Sequence, residues 1–468
     1  MTRPSPGARQ YQTHRQLLPR TSARLSGPGP RPLDAIIVPA SRPAVNLDHA
    51  VTLARKLRCQ LVVLCSFRAR AADVNDLLAS RNFSQAIVID LPADYAHPAL
   101  DFATSKPASL GLPESCVNPN VDLSTKRNLG LLLARMLGWE RIFFMDDDIR
   151  DLDASDLDSA TSMLGPFRTA GMRALDFPDN SVVCHGHRET GAYQDVFVSG
   201  SVLAVHCAEL VAFFPKIYNE DWFFFYQDAA EHRLGWSGRD ATQLCYDPFA
   251  DPKRAAGQEF GDVMAEGLYS LLHYRIGADR ATSDYWQIFL NSRMRFLEAV
   301  LARTEKVEPY LRKRIASSIE TAMECSSQIT PAICERYVAL WKQDLATWEQ
   351  RLKEMPRLPS ARAALTQLSL RPAGRSPYEL ARIIGGTAGG VPKDARAGAV
   401  MIPSSLAPSA AKSIQSLHAS LGAGVVTNGN PDLSFPQNVL PEARGSDGSA
   451  RGVINRVSRI VRRVILAD

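Results

Sequence analysis

The chain has 468 residues, 45% of them hydrophobic and 22% charged, with a net charge of +5. That is the composition of a globular protein long enough for two or three domains. The small charge and the lack of zinc-finger spacing or an aromatic–basic motif argue against nucleic acid as a partner, and no apolar run reaches the ~18 residues of a membrane span.

Residues 1–33 contain no Asp or Glu, several Arg, and much Pro, Ser and Gly. Without the apolar stretch of a secretory signal they read as a disordered basic tail. Ile36-Ile37-Val38-Pro39 reads as a buried strand ended by proline, and Leu47 to Leu57 has helical spacing. Gln60 to Cys65 and Ala86 to Asp90 are further buried strands. Ser124 to Leu137 is a helix. Arg141 to Met145 is a fourth strand, stopped by three aspartates. Strands apolar on both faces and alternating with helices predict an α/β, Rossmann-like parallel sheet covered by helices. In such sheets ligands bind beyond the carboxyl ends of the strands.

Further on, Val182-Val183-Cys184 and Val196-Phe197-Val198 read as short strands, and Ala208 to Phe214 as a short helix. From Asp284 to Glu354 long apolar-periodic segments, broken at Pro331, predict a helical region spanning about 276–370. Residues 371–452 are rich in Gly, Ala, Pro and Ser and read as a flexible linker. In 453–468, Val453, Ile454, Val457, Ile460, Val461, Val464 and Ile465 fall on one helical face beside Arg456, Arg459, Arg462 and Arg463. Such a basic amphipathic helix suits an anionic membrane surface, which would place the chain peripherally at the inner face of a membrane. It equally suits docking on the chain's own helices or on a second subunit. The cysteines, Cys59, Cys65, Cys184, Cys207 and Cys245 among them, form no CxxC pair and read as free buried thiols of a cytoplasmic protein.

The chemistry gathers at Asp146-Asp147-Asp148. Adjacent carboxylates repel and are poor strand formers, and a divalent cation removes that repulsion. Mg²⁺ takes one or two carboxylates together with phosphate oxygens and water. In an extended segment Asp146 and Asp148 face one way and Asp147 the other. A purely structural reading is an acidic loop capping a helix that begins near Asp151. Upstream, Lys126 and Arg127 at a helix start can hold a diphosphate, or form a solvated basic turn. Downstream, Ser199-Gly200-Ser201 allows close backbone approach to a ligand. Asn219-Glu220-Asp221-Trp222 places two acids among aromatics, where a raised pKa suits a general base, or is simply a polar turn before a helix. Cys184-His185-Gly186-His187 holds a His pair that in loops more often serves structure than metal.

Taken in order, Ile36 to Arg42, Arg127-Asn128-x-Gly130, Asp146-Asp147-Asp148, Gly200-Ser201 and Glu220-Asp221 resemble a GT-A-fold glycosyltransferase, similar to the glycosyl transferase family 2 group, over about residues 34–275. The resemblance implies a mixed, mainly parallel sheet. It implies a nucleotide-diphosphate sugar donor and a hydroxyl acceptor, with Asp146 and Asp148 holding Mg²⁺ or Mn²⁺. Pro39, Ser41 and Arg42 would lie near the nucleoside, and Arg127, Asn128, Asp147 and Gly200 around the donor. Glu220 or Asp221 would supply the base, with inversion at the anomeric carbon. His273, and less so His232, would be a late metal ligand. Where the family often has an acid at the end of its second strand, this chain has Cys65-Ser66-Phe67, and Asp90 would take that role. Two other classes fit the pattern. A nucleotidyltransferase would want a glycine-rich loop after the first strand, which residues 39–46 lack. A non-catalytic scaffold would tolerate loss of Asp148 and Asp221.

Overall fold

The computed structural model describes residues 16–18, 32–113, 116, 122–175, 177, 180–209 and 211–371. They belong to one compact unit. The amphipathic helix expected over 453–468 and the linker expected over 371–452, apart from Arg371, lie outside the described residues. Of the expected tail 1–33, Leu17 and Leu18 are buried against the core.

Along the chain run β1 (Ala35–Ala40), α1 (Asp48–Leu57), β2 (Gln60–Cys65), α2 (Ala71–Ser80), β3 (Ala86–Asp90), α3 (Pro107–Leu110), α4 (Leu123–Leu137) and β4 (Arg141–Met145). Then come β5 (Ile149–Arg150), α5 (Ala154–Thr161), β6 (Thr169–Leu175), α6 (Val182–Glu189), β7 (Val202–His206), α7 (Glu220–Phe224), α8 (Tyr226–Ala230) and β8 (Leu234–Gln243). Five helices close the described chain: α9 (Lys253–His273), α10 (Ser283–Arg303), α11 (Pro309–Gln328), α12 (Pro331–Glu354) and α13 (Ala361–Gln367).

The eight strands form one sheet in the order β3-β2-β1-β4-β7-β6-β8-β5. Strands β3, β2, β1 and β4 are parallel, β7 runs against β4 and β6, and β6 pairs parallel with β8. The parallel β3-β2-β1-β4 half is what the alternating pattern predicts, and the antiparallel β7 makes the sheet mixed, as the resemblance implied. Successive residues of a strand face opposite ways, so Ile36 and Val38 join the core under α1, α2 and α5, while Ala35 and Ile37 join the core under α4. Pro39 does not end β1. It pairs with Leu64, and the strand continues to Ala40.

The helical region is fastened to the sheet rather than hung from it. The Asp344 carboxylate on α12 accepts the backbone N–H of Ala103 at 2.9 Å and of Thr104 at 2.8 Å, and Trp348 donates to the Val211 carbonyl at 3.0 Å. Pro309 and Pro331 each open a helix at its first turn, where a missing N–H costs nothing. No helix among the described residues is long and apolar enough to cross a membrane.

Three local expectations are corrected. Val182-Val183-Cys184 opens α6 under a Ser181 N-cap, because Val182 and Val183 pack with Leu297, Ile315 and Ile319 of the late helices. Val196-Phe197-Val198 forms no strand, since β6 already has β7 and β8 on its two sides. The described part of Ala208–Phe214 is irregular, its backbone taken up by Trp348 and by Asn128. The thiol reading also changes: Cys116 and Cys325 form a disulfide across 209 residues, a separation no spacing rule could flag, and Cys245 is exposed.

Candidate active site

Parallel pairing of β1 and β4 brings Ser41-Arg42 and Asp146-Asp147-Asp148 out of the sheet side by side. Asp147 joins them. One of its oxygens accepts the backbone N–H of Ser41 and of Arg42, each at 2.7 Å, and the other accepts from the Arg42 guanidinium. Arg42 also reaches Asp148 at 2.8 Å. Burial opposes the charge on Arg42, but Asp148 and Asp147 outweigh it and hold its pKa above the ordinary value.

The aspartates do not lie on an extended segment. Ile149 donates back to the Asp146 carbonyl at 3.2 Å, making a turn before Ile149 and Arg150 pair with β8. The side chains therefore diverge, and the expected alternation is corrected: Asp146 faces Arg127, Asp147 clamps the β1 loop, and Asp148 meets Arg42 and Gln243. The helix that follows starts at Ala154 and is capped by Asp153, not by the triad.

Arg127 is buried inside α4. Its guanidinium spans both oxygens of Asp146, at 3.0 and 3.1 Å, and bonds Glu220 on the other side. Lys126 is equally committed, donating to the Ala40 carbonyl at 2.8 Å and to Ser66 at 2.6 Å, and burial lowers its pKa. The pair expected to stand free at a helix start is thus engaged within the protein. Asn128 exchanges two hydrogen bonds with the backbone of Phe214, both at 2.8 Å. Gly130 lies within α4, against Ile37 and Phe144, rather than in a turn.

Glu220 and Asp221 begin α7. Glu220 is buried, and burial raises its pKa to about 8 against the pull of Arg127. Asp221 is part-buried. Burial raises its pKa as well, opposed by Arg127 and by the N–H groups of Gly200 at 2.7 Å and Trp222 at 2.9 Å. Gly200 is required here: a Cβ would lie 2.6 Å from the Asp221 Cβ and 2.8 Å from an Arg127 nitrogen. The side chains that approach Gly200 are those of Asp221 and Arg127.

Five carboxylates and two guanidiniums so form one network, with three negative charges in excess if every acid ionises. Burial, and next the charge of Asp146, raises the Asp148 pKa to about 6. Gln243 donates to one Asp148 oxygen at 3.2 Å, while the other, Oδ1, is buried without a hydrogen-bond partner. A buried carboxylate oxygen left unpaired is costly. Hard oxygen donors, excess negative charge and an orphaned lone pair on Asp148 suit a divalent cation such as Mg²⁺ or Mn²⁺.

Asp90 ends β3 and accepts the Ala71 N–H at 2.8 Å, at the start of α2. His273 is the last residue of α9. His232 turns the chain after α8, its ring 3.2 Å from the Leu17 carbonyl. His185 and His187 are buried in α6, the first stacked on Phe177 and the second 2.8 Å from Arg303. Among the described residues, the cluster of three ligand atoms close enough for one metal is Cys184, Asp262 and Glu266, and Arg293 already bonds both acids. Sequence reading missed Gln243, whose place beside Asp148 follows only from the β5–β8 register.

No protein-family model matches the chain, and no curated protein does. Among solved structures the chain is similar to the mannosyltransferase PcManGT from Pyrobaculum calidifontis in complex with GDP-Man and Mn²⁺. The two share 12% identity with a TM-score of 0.37, over 76% of this chain and 91% of that one.

Proposed function

We propose that the chain is a divalent-metal-dependent glycosyltransferase, which moves a sugar from a nucleotide-diphosphate donor to an acceptor hydroxyl. The observation that carries this reading is the orphaned, buried Oδ1 of Asp148 beside Asp146, at the carboxyl end of a parallel strand. The ordered set of motifs from Ile36 to Asp221 supports it.

Asp146 and Asp148 would hold the cation, and a bound cation supplies charge neutralisation to a diphosphate leaving group. Arg127 holds the Asp146 carboxylate in place. Arg42, over a third exposed at its side chain, is the cation on the open side of the network and the better candidate for a donor phosphate. Asp221 is the better base of the acid pair. It is part-exposed, and two N–H groups favour its ionised form, whereas Glu220 is buried on Arg127. The acceptor hydroxyl would give its proton to Asp221 as its oxygen bonds the anomeric carbon and the nucleoside diphosphate departs, with inversion.

A thermal-shift screen of nucleotide sugars, each with and without Mn²⁺, tests the reading. One donor should raise the melting temperature only when Mn²⁺ is present. No shift with any donor in either condition would contradict it.

A further inference from the structure

Asn219, which leads into the acid pair, holds a left-handed backbone with φ 61° and ψ 35°. That region is uncommon for a residue with a side chain, although Asn enters it more readily than most. A cost of this kind persists only where the surroundings over-determine it. The surroundings here come from α9. The Asn219 side-chain amide donates to Asp262 Oδ1 at 3.0 Å. One residue earlier on α9, Gly261 presses on Tyr218: a Cβ there would lie 2.3 Å from the Tyr218 carbonyl oxygen. Two turns later the Tyr269 hydroxyl donates to the Trp222 carbonyl at 2.8 Å. One face of α9 thus grips the segment on both sides of Glu220 and Asp221.

Asp262 is itself fixed. Its second oxygen accepts from Arg293 of α10 at 3.0 Å, and Arg293 is fully buried. The same guanidinium makes two bonds to Glu259, at 2.9 and 2.7 Å, and one to Glu266 at 3.0 Å. Its planar fork suits this fixed multidentate geometry. A buried charge with four hydrogen bonds to α9 sets that helix against α10, and α9 then sets the turn.

We infer that Asp262 is a positioning residue for the acid pair: through Asn219 it fixes the turn that holds Asp221 against Gly200 and Glu220 against Arg127. The helical part of the chain then completes the catalytic geometry. The inference rests on the glycosyltransferase reading only for its effect on turnover.

The Gly200 N–H reports the position of Asp221 directly, because it donates to that carboxylate at 2.7 Å. The experiment records the Gly200 amide resonance in full-length protein labelled with ¹⁵N-glycine, for wild type, Asp262→Ala, Asp262→Asn and Asn219→Gly. Asn219→Gly keeps the left-handed backbone and removes only the side-chain bond. Asp262→Ala and Asn219→Gly should both move the Gly200 resonance towards that of an unbonded amide. Asp262→Asn, which keeps one accepting oxygen for Asn219 and turns its NH₂ towards Arg293, should move it less than Asp262→Ala does. Turnover of a donor found by the screen should fall ~10-fold or more in Asp262→Ala and Asn219→Gly, with donor KM unchanged, as misplacement of a reacting group predicts. An unmoved resonance in folded Asn219→Gly would overturn the inference, as would equal movement in Asp262→Asn. If Asp262→Ala fails to fold, Asn219→Gly decides. The resonance arm needs no donor, so it stands or falls independently of the proposed activity.

Discussion

Asp221 receives the backbone N–H of Gly200 at 2.7 Å, and only a residue without Cβ allows them so close. Gly200→Ala should therefore push Asp221 and Arg127 apart. Overpacking of this kind costs about 1–3 kcal/mol, so denaturant unfolding should show that loss together with a fall in turnover of ~10-fold or more. Wild-type stability and turnover would show that the contact is not tight.

Arg127 links Asp146 on β4 to Glu220 on α7, with all three groups wholly or largely buried. Removing the cation leaves two acids facing each other in a poorly solvated site. Breaking such a buried pair costs about 3–5 kcal/mol, and Arg127→Met should unfold that much more easily at pH 8. Arg127→Met combined with Glu220→Gln should recover part of the loss. A double variant no more stable than the single one would separate the two residues.

Glu220 gives the apoprotein a pH dependence whose sign is fixed. Burial raises its pKa from about 4.5 to about 8, so the folded state holds its proton more tightly than the unfolded chain does. Where the folded state binds more protons, stability falls as pH rises. The contribution is whole below about pH 4.5 and is lost progressively up to about pH 8. Melting temperature in EDTA should therefore decline across that window, and Glu220→Gln should flatten the decline. A wild-type curve as flat as that of the variant would place Glu220 in contact with water.

How much of this could be read beforehand differs from element to element. Gln60–Cys65, Ala86–Asp90 and Arg141–Met145 match their strands residue for residue, since a short apolar run bounded by polar residues leaves little freedom inside a covered sheet. The same rule misled at Val182-Val183-Cys184, because periodicity cannot separate a short buried helix from a strand and the deciding contacts come from over 100 residues later. The site was legible as a set of acids but not as a wiring diagram. Asp147 was expected to point away, yet it pins Ser41 and Arg42; Arg127 was expected to meet a ligand, yet it meets Asp146 and Glu220. Those pairings depend on which strands become neighbours. Asp262 and Gln243 carry no local signal, being one acid in a helix and one amide at a strand end.

The central claim is a divalent cation at Asp146 and Asp148 serving a nucleotide-sugar donor. Its most direct test is the release of nucleoside diphosphate from a panel of nucleotide sugars, followed with Mn²⁺, with EDTA, and with Asp148→Ala in Mn²⁺. Release from at least one donor is expected in Mn²⁺, with a loss of ~10²-fold or more in EDTA and in the variant, the scale on which charge stabilisation at a leaving group acts. Release that persists undiminished in EDTA and in a folded Asp148→Ala protein, or no release from any donor, would contradict it.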